Sequence, residues 1–238
     1  MDSNLKIFSQ SILDKLNPSS VTTVLGKQNQ VVYRIIIDQD ILYLKIVKES
    51  RKNEVEVLKL FPFTPRVIEE FKGLEYFGFL LSNVGISLST YTKWNVFEYR
   101  HFLLFVKSVT ECLNAIHEQG FIHLDINPGN ICLLDNVVSI IDFGLTEKME
   151  GNCLPGGYRF GIPRYKAPEI AKNGPSIDKS VDFYALGKII LEMLDKNVIN
   201  MDQQQSRLIF HLAEQMAASN PAERISGIEI LKLLREYI

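Results

Sequence analysis

The chain has 238 residues, 46% apolar and 23% charged, with a net charge of −2. The length suits one domain of two lobes or two small domains, and the charge gives no reason to expect a nucleic-acid or membrane partner. No run approaches the roughly 18 apolar residues of a membrane span, no basic-then-apolar leader opens the chain, and Cys112, Cys132 and Cys153 form no CxxC motif. The expectation is therefore an intracellular reducing setting, cytoplasmic or nuclear, in a host cell if the source is viral, without a zinc site; the chain is also expected to be a monomer.

The first third reads as strands. Residues 21–25, 31–38 and 41–47 are rich in β-branched and aromatic side chains, with a turn at Asp38-Gln39-Asp40. Residues 52–61 read as a short helix and residues 77–81 as a further strand. From about residue 97 the apolar period becomes helical: Phe102, Phe105, Val109, Leu113 and Ile116 recur, and Gly120 is a stop signal. FIHLDINPGNI follows at 121–131. Residues 131–142 then look like a hairpin turning at Asp135-Asn136. Helices are expected around 181–196, 206–218 and 225–237. Strands first and helices afterwards predict an α+β fold with two lobes.

The stretch at 121–131 places ionisable groups among residues suited to burial. Asp125 and Asn130 flank Pro128 and Gly129, so no continuous helix runs through it. A buried loop holds a carboxylate only if it is paired, hydrogen-bonded or on a metal. Asp142, twelve residues after Asn130, ends an apolar strand before Phe143-Gly144. Two acids and an amide oxygen at strand or loop ends are hard donors that suit Mg²⁺, which held this way usually carries substrate phosphates. A D-x-x-x-x-N pair alone is common by chance; IIDFG at hairpin distance makes it informative.

Taken with five further motifs, the chain resembles a eukaryotic-type protein kinase. HLDINPGN resembles the catalytic loop and DFG the metal-binding motif. APEI at 167–170 is similar to the end of the activation segment, VDFYALG at 181–187 to the central helix of the large lobe, and NPAERIS at 220–226 to the late Pro-x-x-Arg element. YLKI and NEVEVL supply Lys45 and Glu54. The likeness runs from about residue 20 to the end, and NVGISL resembles the casein kinase 1 and vaccinia-related kinase branch. It implies one kinase domain over 1–238: an N-lobe over about 1–82, a hinge at about 82–86 and a C-lobe over about 87–238. It also implies ATP-dependent transfer of the γ-phosphate to a protein hydroxyl of Ser or Thr. Asp125 would be the catalytic base. Asn130 and Asp142 would hold Mg²⁺ or Mn²⁺. Lys45, paired with Glu54, would position phosphates. Leu25, Gly26, Val32, Ser82, Val84 and Cys132 would complete the nucleotide site with Lys45, Asn130 and Asp142. Lys48 and Glu56 are rivals to Lys45 and Glu54. His123 is expected to pack under Phe143, Asp182 to hold the catalytic-loop backbone, and Glu169 to pair with Arg224.

Several positions depart from the kinase pattern. Gln28 and Gln30 or Val31 stand where further glycines would let backbone amides approach phosphates. Tyr43 would narrow the adenine pocket that Leu81 backs. Ser82 to Gly85 would form the hinge. Asn127 replaces a lysine typical of Ser/Thr kinases. Leu124 replaces the arginine that pairs with a phosphorylated activation loop, and the only hydroxyls from Asp142 to Glu169 are Thr146, Tyr158 and Tyr165. Lys148, Arg159 and Arg164 are the alternative cations. Ile162 stands where a threonine is usual, so the loop is expected to be held by packing of Phe160, Ile162 and Tyr165, with no phosphate needed. The short interval from Asp182 to Arg224 predicts a missing or shortened helix. Two other readings remain: a small-molecule kinase of the same fold, whose loop D-I-N-P-G-N resembles, and a pseudokinase scaffold.

Overall fold

The computed structural model describes residues 2–51, 53–149, 151, 153–155, 161–171 and 176–238. Two compact units divide the chain, 1–84 and 85–238.

The first unit opens with α1 (Ser3–Leu16), followed by β1 (Ser20–Lys27), β2 (Gln30–Ile37), β3 (Asp40–Lys48), the short α2 (Asn53–Leu58), β4 (Val67–Lys72) and β5 (Tyr76–Ser82). The strands form an antiparallel sheet in the order β1-β2-β3-β5-β4. Asp38 and Gln39 take φ of 48° and 76°, the left-handed geometry that matches a two-residue hairpin turn to strand twist. Alternation then decides the faces. Val31, Tyr33 and Ile35 of β2 and Leu44 and Ile46 of β3 point to one side, where Leu5 and Ile12 of α1 cover them.

Helix α1 was not anticipated from the sequence, although its signals are there. Asp2 caps it, accepting from Asn4 N at 2.8 Å and Leu5 N at 3.3 Å. Leu5, Phe8, Ile12 and Leu16 all pack against the sheet. Close approach needs glycine beneath it: a Cβ on Gly78 would lie 2.9 Å from Ile12 Cδ1, and one on Gly73 2.8 Å from the Phe8 ring. The expected helix over 52–61 is shorter, and β4 is an edge strand with a register irregularity between Val67 and Glu69.

The second unit runs through β6 (Ile86–Ser87), α3 (Leu88–Trp94), β7 (Phe97–Glu98), α4 (Tyr99–Glu118), β8 (Phe121–Ile122), β9 (Ile131–Leu134) and β10 (Val137–Ile140). It continues with β11 (Glu147–Lys148), β12 (Cys153–Pro155), α5 (Pro168–Ala171), β13 (Ser176–Asp178), α6 (Ser180–Asp195), β14 (Ile199–Asn200), α7 (Gln203–Met216) and α8 (Gly227–Arg235). Helix α4 buries the predicted stripe from Phe102 to Ile116 and stops where Gly120 turns to φ 79°. Asp135 and Asn136, both left-handed, close the β9–β10 hairpin with Leu134 opposite Val137. Helix α6 packs on α7, and α4 on α8. At the first contact Gly187 is indispensable, since a Cβ there would sit 2.8 Å from Ala213 O. Between α6 and Arg224 stands one α-helix, α7, as the short interval predicted. Among the described residues no helix is long and apolar enough to cross a membrane.

Candidate active site

In the first unit the strand register sets Leu25 opposite Val32, Val32 opposite Lys45, and Lys45 opposite Phe79. These side chains share the sheet face turned away from α1. Lys45 Nζ donates to Glu54 Oε1 at 2.6 Å, with side chains only 8% and 3% exposed. The rivals point elsewhere: Lys48 is exposed, and Glu56 accepts from Lys59 at the surface. Tyr43 lies opposite Leu81 on the face of Lys45. Lys27 pairs with Gln30, so β1 and β2 meet in a two-residue turn, Gln28-Asn29. Gly26 lies within β1, where an added Cβ would meet only Thr23 Cγ2, at 3.8 Å. The Ser82 N–H donates to Arg66 O at 2.9 Å and is thus used inside the unit. Val84, the last residue of the unit, is half-buried.

The second unit builds its site from the loop after β8. Asp182, buried at the start of α6, accepts from the backbone N–H of His123 at 2.9 Å and of Leu124 at 3.0 Å, and from His117 Nε2 at 2.8 Å. Burial alone would raise its carboxyl, but the His117 hydrogen bond and charge outweigh that and hold it below the ordinary value. This grip keeps Leu124 at φ 66°, a strained conformation for leucine. His123 is wholly buried and uses both ring nitrogens: Nδ1 accepts from Asp125 N at 3.3 Å, and Nε2 donates to Ile141 O at 3.2 Å. Its ring meets Phe143 edge-on at 4.8 Å between centroids, the packing expected of it.

Asp125 is held from behind. Asn127 Nδ2 donates to Asp125 O at 2.9 Å, while Asn127 Oδ1 accepts from Gly129 N at 2.9 Å. Asn130 Nδ2 reaches both Asp125 O at 2.9 Å and Asp125 Oδ2 at 3.0 Å. Asp125 Oδ1 is buried with no hydrogen-bond partner among the described residues. Burial pushes the Asp125 carboxyl up; His123 opposes this, Asp142 adds to it, and the Asn130 and Asn127 hydrogen bonds oppose it. The Asn130 carbonyl accepts from Ile141 N at 3.0 Å, tying the loop to the segment that carries Asp142. Asp142 itself sits at φ 63° before the single turn Phe143–Leu145. Cys132 is buried in β9, its thiol pushed up to about 11 by burial.

The segment before α5 comes close to this loop. Gly161 has φ 89°, and a Cβ there would lie 3.1 Å from Leu124 O and 3.8 Å from Asp125 Oδ1. Tyr165 OH donates to Glu192 Oε2 at 2.6 Å, Arg164 Nε lies 3.2 Å from the same oxygen, and Lys196 Nζ is 2.5 Å from Glu192 Oε1. Burial would raise the Glu192 carboxyl, but hydrogen bonds from Lys196 and Tyr165 and the charges of Lys196 and Arg164 hold it low. Ile162, expected to pack, is 44% exposed; it is Tyr165, through Glu192, that ties this segment to α6. Tyr158, Arg159 and Phe160 lie outside the described residues. Arg224 grips Glu169 through both terminal nitrogens, with Nη2 to Oε2 at 2.7 Å, as expected.

The protein kinase domain family matches residues 27–234. The chain belongs to that family. It is 35% identical over 150 residues to the interferon-induced, double-stranded RNA-activated protein kinase of Rattus norvegicus, covering 56% of this chain and 29% of that one. It is 29% identical over 153 residues to the calcium/calmodulin-dependent protein kinase type II alpha chain of Drosophila melanogaster, covering 53% and 29%. To the serine/threonine-protein kinase AtPK2/AtPK19 of Arabidopsis thaliana it is 33% identical over 92 residues, covering 38% and 19%. The chain thus spans less than a third of the length of these relatives.

Within this kinase domain the sequence reading missed three residues. Asn127 reads in sequence as a replaced lysine; its place before Pro128-Gly129 marks an Asx turn and could have revealed the staple. Gly161 needs its left-handed backbone only because of Leu124, distant in sequence. Glu192 is joined to Tyr165 solely by tertiary packing and has no local signal.

Proposed function

We propose that the chain is an ATP-dependent kinase transferring the γ-phosphate to serine or threonine of a protein. One observation carries this reading. Asp125 has one carboxylate oxygen fixed by Asn130, while the other is buried and free to accept. That oxygen would take a hydrogen bond from the acceptor hydroxyl and then its proton. The hydroxyl oxygen forms a bond to the γ-phosphorus as the bond to the β–γ bridging oxygen breaks, and ADP leaves with that electron pair. Lys45, oriented by Glu54, would contact the α- and β-phosphates.

The donor set fits magnesium. The Asn130 amide nitrogen donates to Asp125 twice, so the side-chain oxygen Oδ1 is the Asn130 atom left to coordinate, and Asp142 supplies a carboxylate. Among the described residues no group of three or more His, Cys, Asp or Glu is placed for a metal. A two-oxygen set suits an ion that keeps waters and substrate phosphates as its other ligands. When bound, it would neutralise phosphate charge. Serine/threonine specificity draws support from relatives named as such kinases. Regulation by an activation-segment phosphate is not needed in this reading: Tyr165 is engaged by Glu192, and Leu124 offers no cation.

A second reading, a nucleotide-binding scaffold, is favoured by the two-residue β1–β2 turn and by Tyr43. Purified protein incubated with γ-labelled ATP and Mg²⁺ or Mn²⁺, with a generic protein substrate, tests both. Label on protein serine or threonine, lost in Asp125→Asn, supports the kinase. Nucleotide binding without transfer supports the scaffold, and label only on a small-molecule hydroxyl overturns both.

A further inference from the structure

Beside the loop that carries Asp125, the second unit contains a cavity of about 450 Å³. Helix α3 gives it Lys93, the loop gives Pro128 and Gly129, the segment before α5 gives Arg164, α6 gives Glu192, and Lys196 follows at the C-terminal cap of α6. This volume lies within the range of ligand pockets. Among its described lining residues the charge is one-sided: three cations face one carboxylate, a net charge of +2.

That carboxylate is already engaged. Glu192 accepts from Tyr165 through Oε2, shares that oxygen with Arg164, and meets Lys196 through Oε1. A cationic guest would find it compensated and would face three like charges. Lys93 is exposed and makes no ion pair among the described residues. The Arg164 and Lys196 side chains are 60% and 52% exposed, so their remaining N–H groups can still donate to a guest. Pro128 and Gly129 place one wall three and four residues from Asp125, a reach of about 10–14 Å at most for extended chain.

We propose that this cavity receives an acidic side chain of the substrate protein, within about four residues of the phosphorylated hydroxyl. The inference rests on the kinase reading and makes the enzyme acid-directed. Lys93 is the residue most devoted to the guest, with Arg164 and Lys196 shared between it and Glu192. Like charges at the same place would exclude basic sequences as strongly as attraction admits acidic ones.

Two measurements on the full chain separate this proposal from the one beneath it. The first is calorimetric binding of seven-residue peptides with a central alanine flanked on each side by three glutamates, three arginines or three alanines. It needs no transfer. The glutamate peptide is expected to bind at least tenfold tighter than the others. Lys93→Glu should erase the preference, Lys93→Arg retain it, and Lys232→Glu, the same charge change on α8, leave it intact. The second uses central-serine versions, with kcat/KM expected at least tenfold higher for the glutamate peptide and the ratio collapsing in Lys93→Glu. Equal binding of all three peptides, or a preference that survives Lys93→Glu, overturns the pocket. Transfer favouring the arginine peptide overturns the pocket and leaves the kinase standing. Selective binding of the glutamate peptide without transfer to any protein does the reverse.

Discussion

A lysine removed from water survives only beside its partner, and Lys45 has Glu54 at 2.6 Å while Lys48, three residues on, is exposed. Lys45→Met is therefore expected to abolish phosphotransfer and Lys48→Met to leave it within about twofold, a surface change that costs little. Reversed phenotypes in a transfer assay would show that the strand register had been misassigned by three positions. His123 gives a second residue-scale expectation. Burial lowers its pKa below 6.5, against the charges of Asp182, Asp125 and Asp142. The unfolded chain takes up a proton as pH falls through 6.5, while the folded chain does not. Stability should thus decline below that pH by at most about 1.4 kcal/mol per unit. Urea midpoints at pH 8 and 5.5 should differ more for the native protein than for His123→Leu. Equal differences would assign the slope to other histidines.

Among the elements, the join between α5, α6 and the start of α8 depends on one side chain. Arg224 grips Glu169, donates from Nε to Ala218 O at 2.9 Å and from Nη1 to Ser180 Oγ at 3.0 Å, and stacks on Tyr184. Its side chain is fully buried, so Arg224→Met would strand the Glu169 carboxylate at a cost of about 3–5 kcal/mol. Arg224→Lys should fare little better, because an ammonium cannot fill the fork. A loss below about 1 kcal/mol by chemical denaturation would contradict this. How legible an element was depended on whether its determinants were local. The β9–β10 hairpin announced itself through Asp135-Asn136, and α4 through its stripe. Strand β4 escaped because Glu69-Glu70 breaks any apolar run, and α3 because only Leu88 in it is buried.

For the molecule as a whole, ligand binding is the integrating measurement. If Asn130 and Asp142 hold a metal, ATP with Mg²⁺ should raise the melting temperature well beyond ATP alone. At a hundredfold excess over Kd, binding contributes about 2.7 kcal/mol. Asp142→Asn should bring the two melts together, and equal shifts with and without the metal in the native protein would refute the assignment. The sequence disclosed the site where chemistry sits in short motifs, at Asp125, Asn130 and Asp142. It left hidden what distant segments bring together, such as Gly161 against Leu124 or Glu192 beneath Tyr165. The same limit applies to the N-terminal helix. The match to the family model begins at residue 27, yet Leu5 and Ile12 cover the sheet face that carries Ile35, Leu44 and Ile46. An investigator trimming the gene to the homologous region would bare Ile35, Leu44 and Ile46 to water, and the shortened product should collect in inclusion bodies. The smallest piece able to fold alone is therefore longer than its ancestry suggests.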